Sequence, residues 1–282
     1  MNKWILGARP RTLPAAIAPI VVATALAGAD WNWFRAALAL KVGVWLQIGV
    51  NYANDYSDGV KGSDDNRIGP TRLVASGLAT AVQVKRAAFT SFGIASIAGI
   101  WLSLLSSPWL IVVGVAAIAA AWGYTGGKNP YGYSGLGEVS VFVFFGLAAT
   151  VGTYFAQTGQ ITALSVLCAV PMGVLSCAIL AVNNIRDRAQ DELVGKRTLA
   201  VRVGDSKARK GFVALLVIAH LSALATLLPW SLITLAVLPL TFSISRSVIS
   251  GATGVSLIPL LGKTGKLQMF FGVLFALALA IQ

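Results

Sequence analysis

The chain has 282 residues, of which 56% are hydrophobic and only 11% charged. That much apolar surface cannot be hidden in one or two water-soluble domains, so the composition excludes an ordinary soluble protein and points to a multi-span membrane protein. The formal charge of +12 raises nucleic acid as a partner, but the basic residues are spread over connections between apolar runs and are not gathered on one soluble face, which argues against nucleic acid.

Crossing about 30 Å of hydrocarbon takes about 20 apolar residues. In chain order, windows of that kind fall near 12–29, 33–55, 81–105, 108–123, 136–156, 162–185, 208–228, 230–249 and 265–281. The sequence therefore predicts an all-α polytopic protein, nine transmembrane helices in one bundle, with residues 1–282 forming a single domain. Cytoplasmic loops carry the excess of Lys and Arg. With the N-terminus in the cytoplasm, this threading puts all of the 22 basic residues except Arg35 and Lys41 on that side. Lys41 falls within a span, where its stem can snorkel to the outer face.

The first window has features of a secretory signal, with basic residues ahead of it and Ala25-Leu26-Ala27 in the place of a cleavage site. Eight further spans hold the chain in the membrane without cleavage. Cys168 and Cys177 sit about 13 Å apart on one predicted helix at 1.5 Å per residue, too far for a disulfide, and read as small core residues. The inner connections at 56–80, 124–135 and 186–207 are long, polar and Gly-bearing, the kind of loop that carries function on a rigid scaffold.

All of the ten acidic residues except Asp30, Glu138 and Asp205 lie in two clusters, Asn51 to Asp65 and Asn183 to Glu192. Each cluster ends an apolar window, where charge is costly unless it is paired. Asn54 with Asp58, and Asn183 with Asp187, repeat the pattern N-x-x-x-D. Helical spacing puts Asn51, Asn54, Asp55 and Asp58 on one broad stripe, and Asn183, Asp187 and Asp191 on another with Asn184 alongside. Facing one another in low dielectric, these carboxylates repel. A hard divalent cation relieves the repulsion, and oxygen ligands with no His or Cys nearby select Mg²⁺ over zinc or copper. Lys61, Arg67, Arg72, Lys128, Arg186, Lys196 and Arg197 are then positioned to take phosphate oxygens. The bland alternative for either cluster alone is a solvated helix end with interfacial charge.

These motifs resemble the UbiA superfamily of intramembrane aromatic prenyltransferases over nearly the whole chain. A-R-P-R-T-L-P from Ala8, N-D-Y-S-D-G-V-K-G-S-D from Asn54, R-I-G-P-T-R from Arg67, P-Y-G-Y-S-G-L-G-E from Pro130, and N-N-I-R-D-R-A-Q-D with G-K-R-T-L-A-V-R-V-G up to Gly204 are similar to the branch that prenylates 1,4-dihydroxy-2-naphthoate in menaquinone synthesis. The resemblance implies that Asn54, Asp58, Asn183, Asp187 and Asp191 are ligands of Mg²⁺ and diphosphate, with Asp55 an accessory acid. Tyr124 with Lys128 matches a Y-x-x-x-K pair whose Lys touches the diphosphate. Ubiquinone-type relatives repeat an Asp four residues after the position of Asp58, where this chain has Gly62, and Asp64 is the nearest substitute. The implied activity is Mg²⁺-assisted ionisation of a polyprenyl diphosphate, attack by the naphthoate ring, and loss of carbon dioxide and diphosphate to give demethylmenaquinone. The implied setting is the bacterial plasma membrane, with the tail among lipid-facing grooves and the active site at the cytoplasmic face.

Other residues keep two readings. Glu138 either caps a helix N-terminus, worth about 0.3–1 kcal/mol, or works on the acceptor phenol. Tyr131 and Tyr133 either line the acceptor pocket or belong to the interfacial belt, with the belt favoured for Tyr133. His220 reads as a hydrogen-bonded residue between helices. Asp spacing does not choose a ring, so 4-hydroxybenzoate, homogentisate, a chlorin or haem remain alternative acceptors. A cation-coupled transporter also uses intramembrane acids, but its sites lie at the midplane on broken helices, and here both clusters end their spans.

Overall fold

The computed structural model describes residues 2–63 and 69–281, so Asp64 and Arg67 lie outside the described residues. Among those described there is no strand. Helix α1 (Lys3–Ala8) and a 3-10 turn at Pro10–Thr12 lead into α2 (Pro14–Leu26), the two segments meeting at 52°. Then come α3 (Trp33–Val60), α4 (Ala81–Leu105) and α5 (Trp109–Gly123). A rod over Gly137–Thr158 is built of α6 (Gly137–Val141), a π-helical stretch at Phe142–Ala148 and α7 (Ala149–Thr158). Helix α8 (Ala163–Leu193), short α9 (Leu199–Val203) and α10 (Asp205–Leu224) follow. Last are α11 (Leu238–Ile249), entered through a 3-10 segment at Pro229–Val237, and α12 (Leu257–Ala280).

Six of these helices are long and apolar enough to cross a bilayer, and the bent N-terminal pair makes up to seven. This is a multi-pass membrane protein. Helix α5 is short for a span, with 15 residues. In α10 the first turns carry Asp205, Lys207, Arg209 and Lys210, which interrupts its apolar run. Several helices outrun their apolar windows: α3 continues to Val60, α8 continues to Leu193, and α12 starts at Leu257 and so contains Lys263 and Lys266. Hydropathy marks the lipid-facing stretch alone, whereas backbone hydrogen bonding carries a helix on into the polar zone.

Local sequence explains the boundaries. Asn32 opens α3 by accepting from the amides of Phe34 and Arg35, both at 3.0 Å, and Thr80 with Gln83 closes a capping box at the start of α4. The bend after α1 falls where Pro10 and Pro14 remove amide donors and Arg9 adopts φ +52°. A left-handed non-glycine residue is strained and persists only where its surroundings fix it. Here the Arg9 carbonyl accepts from the amide of Thr12 at 2.9 Å and from its hydroxyl at 3.0 Å.

Helix α8 is the centre of the bundle. Cys168, Met172, Leu175, Ala178 and Val182 on it pack against Phe212 and Leu216 of α10 and Leu267, Phe271 and Phe275 of α12. Between helices in lipid, close approach of small residues replaces the hydrophobic drive. Gly146 of the rod and Gly173 of α8 meet so closely that a Cβ on Gly146 would stand 2.6 Å from the Gly173 Cα. Pro171 and the π-helical stretch sit on the two sides of that contact.

Polar pairs fasten the ends. His220 Nε2 lies 3.1 Å from Thr241 Oγ1, and its ring meets Phe271 edge-on at 5.3 Å. Arg209 bonds Asp205 at 2.6 Å and donates to the carbonyls of Val248 and Ala252 at 2.6 and 2.9 Å, tying the start of α10 to the end of α11. That bond holds the Asp205 carboxyl below its ordinary range. At the opposite end of the bundle Arg35 donates to the carbonyls of Leu105 and Gln157 at 2.6 and 3.0 Å.

Candidate active site

The stripe on α3 is divided among three tasks. Asn51 donates to the Ala8 carbonyl at 2.9 Å and to Thr12 Oγ1 at 3.1 Å, stitching α3 to the N-terminal bend. Asp55 is fully buried, and its two oxygens accept the amides of Leu73 and Val74 at 2.8 and 3.0 Å. Both its oxygens thereby staple the returning loop onto α3. Asn54 and Asp58 remain on the side of the cluster.

Asp58 is 3% exposed and surrounded by donors. The Tyr133 hydroxyl donates to Oδ1 at 2.5 Å, Lys196 Nζ stands 3.2 Å from the same oxygen, and Arg72 Nη2 lies 3.7 Å from Oδ2. Lys61 and Lys196 also approach the Tyr133 ring, at 4.9 and 4.7 Å from its centroid. Lys61 donates to the Thr125 carbonyl at 2.7 Å, and the Thr125 hydroxyl donates to Asn54 Oδ1 at 2.8 Å. Burial lowers the Lys61 ammonium from its ordinary value, Asp58 acts the other way, and Lys196 adds to the lowering.

On α8, Asp187 takes a bidentate pair from Arg186, Nε to Oδ1 and Nη2 to Oδ2, both at 2.8 Å. The third nitrogen of that buried guanidinium, Nη1, has no hydrogen-bond partner among the described residues. Just past the end of α8 the chain turns at Gly195, whose φ of +76° suits glycine. The turn returns the Lys196 amide to the Asp191 carbonyl at 2.8 Å and sends the Lys196 side chain to Asp58. Gly69 packs on Arg186, where a Cβ would stand 3.3 Å from Cζ. The loop after α3 and the end of α8 therefore enclose one polar cluster.

Beneath the cluster runs a chamber of about 390 Å³. Asn54, Asn183, Tyr124, Tyr131 and Arg9 are at its polar end, and its walls are apolar residues of α2 to α5, the rod and α8. Along α3 it extends from Asn54 to Ala39, about 22 Å at 1.5 Å per residue. The Tyr131 hydroxyl donates to the Ala120 carbonyl at 2.8 Å and lies 2.9 Å from Ser140 Oγ. Asn184 donates to Glu138 Oε1 at 3.0 Å, while Glu138 Oε2 is buried with no hydrogen-bond partner among the described residues. Burial pushes the Tyr124 phenol up, and the charges of Glu138, Asp58 and Asp191 push the same way.

Of the residues singled out in the sequence, Asn54, Asp58, Lys61, Arg72, Asn183, Arg186, Asp187 and Lys196 come together here, with Tyr124, Tyr131, Glu138 and Asn184 just below. Lys128 and Arg197 are exposed on the flanking loops. Tyr133 is the residue that sequence reasoning undervalued, because no spacing rule links a loop tyrosine to an aspartate on another helix. Its place in a Gly-rich polar loop was the available signal.

The donors suit Mg²⁺ in its usual protein mode, in which one or two carboxylates share the ion with substrate phosphates and water. Every candidate ligand is an oxygen: Cys168 lies in the bundle core, His220 pairs with Thr241, and the Cys177 thiol donates to the Glu138 carbonyl at 3.2 Å. Among the described residues no group of three or more His, Cys, Asp or Glu is close enough to hold an ion without help. The set fits a substrate-bridged ion and not a closed protein cage.

A chamber that is greasy along its length and charged at its mouth marks a membrane-embedded enzyme for amphiphilic substrates. Residues 16–274 match the UbiA prenyltransferase family. A 1,4-dihydroxy-2-naphthoate octaprenyltransferase of Mycobacterium tuberculosis is 48% identical over 99% of this chain and 97% of its own length, and the enzyme of the same name from Escherichia coli is 36% identical over 99% and 95%. The solved structure of a UbiA homolog from Archaeoglobus fulgidus bound to GPP and Mg²⁺ covers both chains completely with a TM-score of 0.70 at 12% identity. The chain belongs to the UbiA prenyltransferase family.

Proposed function

We propose that this protein transfers a polyprenyl group from its diphosphate to 1,4-dihydroxy-2-naphthoate, with release of carbon dioxide and diphosphate, as a step of menaquinone synthesis. The observation that carries the reading is the pair of acid–base clusters, Asp58 with Lys196 and Arg72 and Asp187 with Arg186, at the mouth of one apolar chamber. The names of the bacterial relatives at 48% and 36% identity support the acceptor. In this reading the chain crosses the membrane nine times with its N-terminus in the cytoplasm, and the clusters lie at the cytoplasmic face.

Asn54, Asp58, Asp187 and Asp191 would hold Mg²⁺ together with the substrate phosphates, and the ion would supply electrostatic stabilisation of the departing diphosphate. Arg186 offers its unpartnered Nη1 to a phosphate oxygen, and Lys61, Arg72 and Lys196 surround the same place. Lys128 and Arg197 reach in from the loops. The allylic C–O bond breaks with its electron pair leaving on the diphosphate. Tyr124, Tyr131, Phe144 and Phe145 present rings to the chamber where the cation forms, and its apolar walls keep water from it. Glu138, Asn184 and Tyr131 hold the acceptor. The ring carbon bearing the carboxylate forms the new C–C bond, and departure of carbon dioxide returns an electron pair to the ring. The product is the hydroquinone form of demethylmenaquinone.

Purified protein in detergent, supplied with geranylgeranyl diphosphate and Mg²⁺, is expected to prenylate 1,4-dihydroxy-2-naphthoate and release carbon dioxide. Transfer to 4-hydroxybenzoate alone would overturn the acceptor assignment.

A further inference from the structure

A second concavity opens on the outside of the bundle, between the end of α3 and the first turns of α4. Tyr56, Val60, Val82, Lys85, Arg86 and Phe89 line it, and it shares no lining residue with the chamber. Its apolar members face outward, with Val60 60%, Val82 59% and Phe89 51% exposed. Lys85 does not trail into solvent. Its ammonium sits 5.6 Å from the Tyr56 ring and 6.0 Å from the Trp122 ring, two rings that stack at 6.0 Å and 22°. Phe89 closes the same aromatic group at 5.0 Å from Trp122.

Neither Lys85 nor Arg86 has an acidic partner among the described residues; their neighbours in the groove are apolar or aromatic apart from Thr90. Two cations on adjacent positions, without a carboxylate and beside an exposed apolar strip, match a ligand with one anionic group and a long apolar body. A zwitterionic headgroup brings its own cation, which these two repel. Juxtamembrane cations attract anionic lipid in general, and the cation–π contacts here add a fixed position for one of them.

We propose that this groove binds an anionic glycerophospholipid, with its phosphate between Lys85 and Arg86 and an acyl chain along Val82 and Phe89. A lipid seated there braces the Tyr56–Trp122 stack, which joins α3, two residues from Asp58, to the end of α5, two residues from Tyr124. The site does not depend on the identity of the aromatic acceptor.

The test is thermal unfolding of the purified full-length protein in detergent, titrated with phosphatidylglycerol or phosphatidylcholine. Phosphatidylglycerol is expected to raise Tm by several degrees and phosphatidylcholine to leave it in place. The double variant Lys85→Ala/Arg86→Ala is expected to lose the phosphatidylglycerol shift while keeping its Tm in detergent alone and its KM for geranylgeranyl diphosphate. The control Lys207→Ala/Lys210→Ala, which removes two exposed cations of α10, keeps the shift. Should the alanine pair unfold, Val82→Glu, which puts an acid in the groove, is expected to abolish the shift instead. Equal shifts with both lipids, a shift that survives both groove variants, or equal loss in the α10 control each overturn the site. A tenfold rise in KM for the prenyl diphosphate in the Lys85/Arg86 variant overturns it too, because the groove then serves substrate entry.

Discussion

The Tyr133 hydroxyl donates to Asp58 Oδ1 at 2.5 Å, a contact between residues 75 positions apart in the chain. The same ring has the ammonium groups of Lys196 and Lys61 within 5 Å of its centroid. One tyrosine thus fixes the direction of an acid and the spacing of two bases. A hydrogen bond to a charged group is worth about 1.5–3 kcal/mol, and about 1.4 kcal/mol is a factor of ten. Tyr133→Phe is therefore expected to lower kcat/KM by about ten- to a hundredfold, with Tyr133→Ala lower still because the ring is lost as well. Steady-state prenyl transfer measures both, and wild-type turnover in Tyr133→Phe would remove the residue from the site.

Asp55 and Asp58 are separated by one helical turn but should fail in different ways. Asp55→Ala leaves the amides of Leu73 and Val74 without acceptors, at about 1–3 kcal/mol each, so its thermal midpoint in detergent should drop by several degrees. Asp58→Ala should keep its fold better and lose prenyl transfer. An Asp55→Ala protein of normal stability and no activity would reassign Asp55 to the ligand set.

Asp187 is harder to probe, because it is the partner of a buried guanidinium. Removing one member of a buried pair costs about 3–5 kcal/mol through the charge left behind, so loss of activity in Asp187→Ala confounds chemistry with folding. Asp187→Asn keeps one carbonyl acceptor for Arg186. We expect it to fold, as judged by monodisperse gel filtration, and to lose transfer by at least a hundredfold at saturating Mg²⁺. Near-normal transfer by the folded Asn variant would exclude a metal role for Asp187.

Much of this arrangement was legible before any coordinate. Charge at the end of an apolar run is so costly that its repetition at Asp58 and Asp187 marked one polar site, and helical spacing gathered each cluster onto one stripe. What the spacing could not resolve is which members of a stripe face inward. Asn51, Asn54, Asp55 and Asp58 share a broad face of α3, yet a turn of 100° per residue and the loop packed against it send Asp55 to backbone amides and Asn51 to Thr12. Lys196 illustrates the same gap. Its path back to Asp58 depends on a left-handed Gly195 and a turn closed on Asp191, features of backbone geometry that composition does not carry. Helix ends were underestimated for a related reason, since hydropathy reports the lipid contact of α3 and α8 and not the length of the hydrogen-bonded rod.

The depth of the chamber should set how much of the prenyl chain it holds. An extended backbone advances about 3.4 Å over three bonds, so the roughly 22 Å from Asn54 to Ala39 accommodates about five isoprene units of four bonds each. Gly152 lines the chamber one turn from Ala156, which packs with Leu38 and Ala39 at the far end. A Cβ on Gly152 would meet nothing within 4 Å, so a side chain there enters the cavity without disturbing its neighbours, and replacing glycine within a helix carries no propensity penalty. Gly152→Phe is therefore expected to fold normally and to use geranyl diphosphate nearly as well as the parent. Its kcat/KM for geranylgeranyl and longer diphosphates should drop at least tenfold, most of it in KM, because the added ring occupies space that the tail needs in ground state and transition state alike. Competition between geranyl and geranylgeranyl diphosphate in one reaction reads the ratio directly. An unchanged ratio would mean that the tail leaves the chamber sideways before reaching Gly152, and that the lipid bilayer, not the chamber floor, receives its distal units.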